Sequence, residues 1–483
     1  MNEQSKVSAA PAHEKLGMWD AVCIIVGIVT GSSIFKTPNL IFENVSGTWV
    51  AMAVWFGCGV LALVGALCYA ELATTYPRSG GDYVYLTRAF GKPVGFLFGW
   101  AQLVVILTGS TGMMAFIFGD YLAGLVNVEE ADRAHFAALS GIVAVVVLSV
   151  MNFFGVVFGK VVQNVLVIVK MFGFAAIVVV GLLYGSTSGW TGGYTLPADK
   201  SLGVAVILVL YAYGGWNDAA FVAADMRDSR QIARALILST IGITIIYLAV
   251  NAAYILILGF AEARQLHPTI ASKAMEAAVG ASGAKAISVL VMVSALGAMN
   301  GLIFTGSRVY SSLGSEHSVF SLLGRWHPRF HAPIWSLLMH MLITLAMIFL
   351  VGLQEGRDVI DTVATSIGLP KIPWATYFGG FDTLFAGTAP VFWLFFLLTG
   401  LSVFALRAKD QGIHRPFQLR APWYPLLPMI FCATSIYGMY SAMIYAKYVS
   451  FIGWVPLLLG LPLYFMSRST VQESPTTEYR NVH

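Results

Sequence analysis

The chain has 483 residues, 58% of them hydrophobic and 11% charged, where a soluble domain carries about 25% charged residues. A soluble protein is excluded, and so is a membrane β-barrel, because the apolar runs are long and lack the alternation of barrel strands. The net charge of +4 is small, and its placement along the chain is more informative than its sum.

What remains is an all-α membrane protein. Residues 1–17 are polar and mixed in charge, with no apolar core ahead of a small-residue cleavage site, so they read as an N-terminal tail rather than a signal peptide. Stretches long enough to span the bilayer follow at 18–40, 49–75, 94–125, 135–154, 161–184, 202–225, 235–259, 283–312, 333–353, 385–406, 424–446 and 449–466. This predicts 12 transmembrane helices, followed by a polar tail at 467–483. Cys23, Cys58, Cys68 and Cys432 all fall inside these spans, so no loop disulfide and no metal site is expected. With the N-terminus in the cytoplasm, 18 of the 28 Lys and Arg fall in inner loops and 9 in outer ones, which predicts that both termini are cytoplasmic. Two outer connections are long. Residues 260–282 suit a short surface helix, and 354–382, broken by Pro370 and Pro373, read as a loop apposed to the membrane.

The first span contains Val26-Gly-Ile-Val-Thr-Gly-Ser-Ser-Ile-Phe35. Gly and Ser weaken a helix, and a break exposed to lipid would leave backbone groups unpaired at several kcal/mol each. A break here either lines a cavity or is no break at all, with Gly27 and Gly31 forming a seam for close helix packing. The sixth span repeats the pattern in Tyr211-Ala-Tyr-Gly-Gly-Trp-Asn-Asp218. Interrupted helices five spans apart are the signature of two five-helix repeats of opposite orientation, here 18–184 and 202–406, with 424–466 appended.

These segments carry a family resemblance. The first-span motif, the stretch Tyr69-Ala-Glu-Leu-Ala-Thr-Thr-Tyr-Pro-Arg-Ser-Gly-Gly-Asp-Tyr-Val-Tyr85 with Gly99-Trp100, the Tyr211 to Asn217 segment, Gly297-Ala-Met-Asn-Gly301 with Arg308, and His414-Arg-Pro-Phe417 are similar to the amino acid–polyamine–organocation transporters. The sixth-span motif most resembles their L-type amino acid transporter branch. The resemblance covers about residues 15–470. It implies a LeuT-type 5+5 inverted repeat with broken helices 1 and 6. It also implies sodium-independent amino acid transport by alternating access at the plasma (cell inner) membrane, by an exchanger or facilitator. The alternative is a proton-coupled amino acid or polyamine importer. An enzyme or a channel is the distant reading, because neither a catalytic constellation nor a filter is present. No cofactor and no nucleic acid is implied, and the partners are an L-amino acid and the bilayer. The outer loop after span 3 has no cysteine, where animal L-type relatives use one to bind a single-span glycoprotein, so no disulfide-linked heavy-chain subunit is expected.

An amino acid presents one carboxylate and one ammonium. A half-helix beginning after Gly31 offers the amides of Ser32, Ser33 and Ile34 to the carboxylate. Unwound carbonyls at Val26 and Gly27 and from Tyr211 to Gly214 can accept from the ammonium. Tyr211 stands where the family has an aromatic outer gate, although a core aromatic reads the same way. Asn217 either bonds the substrate or braces the break. Asp218 departs from the family pattern. It selects a cationic or polar side chain, or is satisfied by helix neighbours, or stays protonated through burial. Lys170 is too deep to reach the cytoplasmic boundary. By resemblance it fills the place of a sodium ion, and Asn300 belongs to the same structural group. Glu71, Arg78, Asp225, Arg227, Arg230 and Arg308 form either an inner gate of breakable ion pairs or an ordinary positive-inside cluster.

Overall fold

A computed structural model of the chain describes residues 16–467 except 32, 191–194, 198–199, 267–269, 369, 373 and 375–378. Ser32 and nearly all of both tails therefore lie outside the described residues. Among the described residues the regular structure is helical, apart from an isolated parallel bridge between Leu16 and Met226.

The first span is interrupted where Gly31 and the serine pair predicted it. Helix α1 (Met18–Val29) stops after 12 residues, about 18 Å at 1.5 Å per residue and short of the ~30 Å hydrocarbon core. The chain bends at Thr30 and Gly31, then resumes as α2 (Ser33–Lys36) and α3 (Pro38–Glu43). The amides of Thr37 and Ile41 donate to the carbonyls of Ser33 and Thr37 and make the two short pieces nearly continuous. Helices α4 (Thr48–Thr75), α5 (Asp82–Phe90) and α6 (Lys92–Ala101) follow. A π-helical turn at Gln102–Ile106 joins α6 to α7 (Leu107–Leu125). Helices α8 (Glu130–Phe153) and α9 (Val156–Tyr184) close this half.

The second interruption falls at the paired glycines. Helix α10 (Leu202–Ala212) ends before Gly214, and Gly215 takes a positive φ of 101°, a conformation glycine adopts without a Cβ penalty. Beyond it the chain runs as a 3-10 helix, Trp216–Asp225, not as the α-helix expected from the span pattern. Next come α11 (Arg230–Leu258), α12 (Phe260–Ala263), α13 (Ile270–Val279), α14 (Ala281–Glu316) and α15 (Ile334–Gly352). The short α12 and α13 occupy the connection that suited a surface helix. The 354–382 connection, expected as a loop, contains α16 (Gln354–Ser366). Its polar residues fall on one side of an amphipathic helix, and the loop reading from interrupting charges missed that periodicity. Helices α17 (Gly379–Lys409), α18 (Trp423–Ala446) and α19 (Phe451–Met466) complete the chain.

Eleven stretches of the described residues are long and apolar enough to cross a membrane. The sequence reading had twelve. The difference lies in the last stretch, Trp423–Met466, whose 44 residues contain both α18 and α19.

Helix α1 packs against α9, α11 and α14, and the 3-10 segment packs against α4, α11 and α14. Both interruptions therefore sit inside protein, where the freed backbone groups find partners. The Leu16 amide donates to the Asp225 carbonyl at 2.7 Å and the Arg227 amide to the Leu16 carbonyl at 3.0 Å, which ties the start of the first interrupted span to the end of the second.

Candidate functional site

The two interruptions meet at a central cavity lined by Gly31 and Ser33 from the first and by Tyr211, Gly214, Asn217 and Asp218 from the second. Six of the expected binding residues are thus brought together. Val26, Gly27 and Ile34 do not line it, because their backbone or side chains are engaged elsewhere. The Val26 carbonyl already accepts from both the amide and the hydroxyl of Thr30, at 3.0 and 2.5 Å. The Gly27 carbonyl accepts from Lys170 Nζ at 3.0 Å. Ile34 is fully buried in the core. Outside the helices, no backbone hydrogen bond among the described residues uses the amides of Ser33 or Ile34 as donor; the third amide expected at the anion site, that of Ser32, lies outside the described residues.

Lys170 is completely buried on α9. Its ammonium reaches the last turn of α1, three residues before the bend, which couples α9 to the first interruption. Asn300 lies on the same seam. Its amide donates to Gln163 Oε1 at 2.8 Å and to the Gly159 carbonyl at 3.2 Å, and its oxygen accepts from Asn152 at 2.8 Å. Neither Gln163 nor Asn152 was singled out from the sequence, because polar residues in separate spans carry no sign of shared contact.

Tyr247 on α11 was also missed. Its hydroxyl lies 2.8 Å from the Val29 carbonyl and 2.9 Å from the Ala212 carbonyl, the last residues of the two helices that break. One side chain thus holds both interruptions in register. The ring is fixed by Trp55 and Tyr213, each with centroids 5.1 Å away.

Tyr211 covers part of the cavity. Its hydroxyl donates to Met113 Sδ at 3.3 Å, and its ring packs edge-on against Phe385 at 4.2 Å. Asp218 Oδ1 accepts from Asn217 at 3.1 Å, so these neighbours bond each other. Further polar residues of the lining come from outside both interruptions, Asp82 and Gln102 among them. Asp82 opens α5, and Gln102 sits on the π-helical turn. The Gln102 carbonyl accepts from the Leu107 amide that closes this turn and also from Tyr310 Oη at 3.2 Å. Asp82 lay within the quoted family motif, but its place beside the sixth span depends on the fold.

The charged cluster divides. Arg308 pairs with Asp225 at 3.2 Å. Glu71 does not join it: both carboxylate oxygens accept from Arg407, at 2.7 and 2.5 Å, and Oε2 also takes the Leu419 amide at 2.9 Å, with Arg415 at 3.6 Å. Arg230 uses its amide to cap on Asp228 at 2.9 Å. The Glu71 partners lie more than 330 residues away and were out of reach of any local pattern.

The chain is 28% identical over 455 residues to the serine/threonine exchanger SteT of Bacillus subtilis, covering 94% of this chain and 96% of that protein. It is 26% identical to the mouse b(0,+)-type amino acid transporter 1, covering 96% and 89%, and 28% identical to the human cystine/glutamate transporter, covering 94% and 85%. These relatives are transporters and not enzymes. Residues 16–466 match the family model for amino acid permeases, and the chain belongs to that family.

Proposed function

We propose that the chain is a sodium-independent amino acid transporter, an exchanger or facilitator that works by alternating access. The observation that carries this reading is the meeting of two helix interruptions at one buried cavity, with a lysine ammonium on the Gly27 carbonyl. A sodium ion about 4 Å from that ammonium would be repelled by ~4 kcal/mol at an effective dielectric near 20. The relatives named as exchangers and amino acid transporters support the cargo class and the exchange mode.

In this reading the chain has 12 transmembrane helices in a LeuT-type 5+5 arrangement, with residues 18–184 and 202–406 as the two repeats. The ratio of basic residues in its loops supports cytoplasmic termini, and the site of action is the plasma (cell inner) membrane. The substrate carboxylate docks on the amides after Gly31, and its ammonium on carbonyls left free at the two breaks. Tyr211 acts as the outer gate, and the Arg308–Asp225 pair, with Arg78, Arg230 and the separate Glu71 group, closes the inner side. The short connection from α7 to α8 has no cysteine, so the protein works without a disulfide-linked subunit.

The test is flux in proteoliposomes. Labelled amino acid should enter vesicles preloaded with unlabelled amino acid, equally in sodium and in choline. Uptake that requires sodium, or no uptake of any common amino acid, refutes the proposal.

A further inference from the structure

The cavity wall is chemically one-sided. Its polar side chains include Asp82, Asp218, Asn217 and Gln102, and among the described residues no Lys, Arg or His lines it. Three of these have an acceptor oxygen that is buried and makes no hydrogen bond among the described residues: Asp82 Oδ2, Asn217 Oδ1 and Gln102 Oε1. The three residues are 1%, 4% and 4% exposed. The other oxygen of Asp82 is held firmly, accepting from Tyr69 Oη and from Thr399 Oγ1, both at 2.5 Å. That grip fixes the carboxyl group without neutralising it, since both donors are uncharged.

The fold brings the two acids together. The Gly80 amide donates to the Phe221 carbonyl at 3.0 Å, which docks the start of α5 on the 3-10 segment three residues beyond Asp218. Tyr69, the donor to Asp82, packs edge-on against Trp216 at 5.0 Å, two residues before Asp218. Buried polar oxygens are normally paired, and a lone buried carboxylate is costly unless a cation and hydrogen-bond donors meet it. A cavity lined by two acids and by amide side chains with unpaired acceptor oxygens is complementary to a group that only donates. An ammonium with three N–H bonds or a guanidinium with five fits this description.

We infer that the cavity takes an amino acid with a cationic side chain, whose ammonium or guanidinium group is held by Asp82 and Asp218 together with the amide oxygens of Asn217 and Gln102. The inference rests on the transporter reading above and narrows its substrate class. Norleucine, lysine with its terminal ammonium replaced by hydrogen, is the matched neutral probe.

The experiment measures binding of lysine, arginine and norleucine to the purified full chain by thermal shift and by competition with labelled lysine. Lysine and arginine should bind at least tenfold more tightly than norleucine. In Asp218→Asn that preference should fall to within about twofold, a change that shows as a loss of discrimination even if overall affinity moves. Asp82→Asn should act in the same way, and Asp218→Asn, whose carboxyl bonds only the Asn217 side chain among the described residues, remains informative if loss of the Tyr69 and Thr399 contacts unfolds the Asp82 variant. Norleucine binding as well as lysine in the wild type overturns the inference while leaving the transporter reading intact. A lysine preference that survives Asp218→Asn also overturns it. Failure of every amino acid to bind refutes the transporter reading itself, and this inference with it.

Discussion

Removing the Tyr247 hydroxyl tests whether the two helix interruptions work as one unit. In Tyr247→Phe the ring keeps its contacts with Trp55 and Tyr213, so little beyond the oxygen is lost. That oxygen carries one proton shared between the Val29 and Ala212 carbonyls, and both carbonyls are left short of a donor. Leaving a buried acceptor unsatisfied costs about 1–3 kcal/mol. If the cost falls on the arrangement that binds substrate, affinity drops by about 5- to 150-fold. Tyr213→Phe is the control, because its hydroxyl donates to the Trp55 carbonyl at 3.1 Å and touches neither break. Both variants should lose thermal stability, and only Tyr247→Phe should lose substrate affinity to that extent. The assay is substrate binding to purified protein alongside thermal unfolding. Affinity within twofold of wild type in Tyr247→Phe, or an equal loss in Tyr213→Phe, refutes the argument.

Three other perturbations follow from the same geometry. Gly31→Val places a Cβ 3.3 Å from Met114 Sδ and 3.4 Å from the Ile28 carbonyl, with its branches directed into the remaining space; substrate binding should be lost while the protein still inserts, and wild-type affinity would disprove the carboxylate site. Lys170→Met exchanges a buried charge for an apolar chain of similar length, so stability should stay within about 2 kcal/mol. Transport by this variant should fall at least tenfold in sodium and choline alike, and full activity would show that the tie to Gly27 is dispensable. Glu71→Gln removes the charge that faces Arg407 and Arg415 and should cost about 3–5 kcal/mol in thermal or denaturant unfolding; a loss under about 1 kcal/mol would mean the pair is solvated.

The membrane class, the approximate spans and the positions of both breaks could be read from composition and from local residue chemistry. Gly31 and Gly214-Gly215 are disruptive within any apolar helix, whatever surrounds them. Lys170 stood out for the same reason, as a charge with no local partner at membrane depth. What the chain order could not reveal was which distant groups meet. Tyr247 on α11 is an ordinary aromatic until two broken helix ends converge on its hydroxyl. Glu71 was grouped with Arg78, Asp225 and Arg308 at the cytoplasmic span ends, yet Arg407 and Arg415 take its charge across more than 330 residues. Asp82 and Gln102 join Asp218 at the cavity because a glycine turn docks α5 on the 3-10 segment and a π-helical turn redirects the chain after α6. Backbone breaks are decided by local conformational cost, which sequence reports. The pairing of buried polar groups is decided by helix packing, and only the tertiary structure contains it.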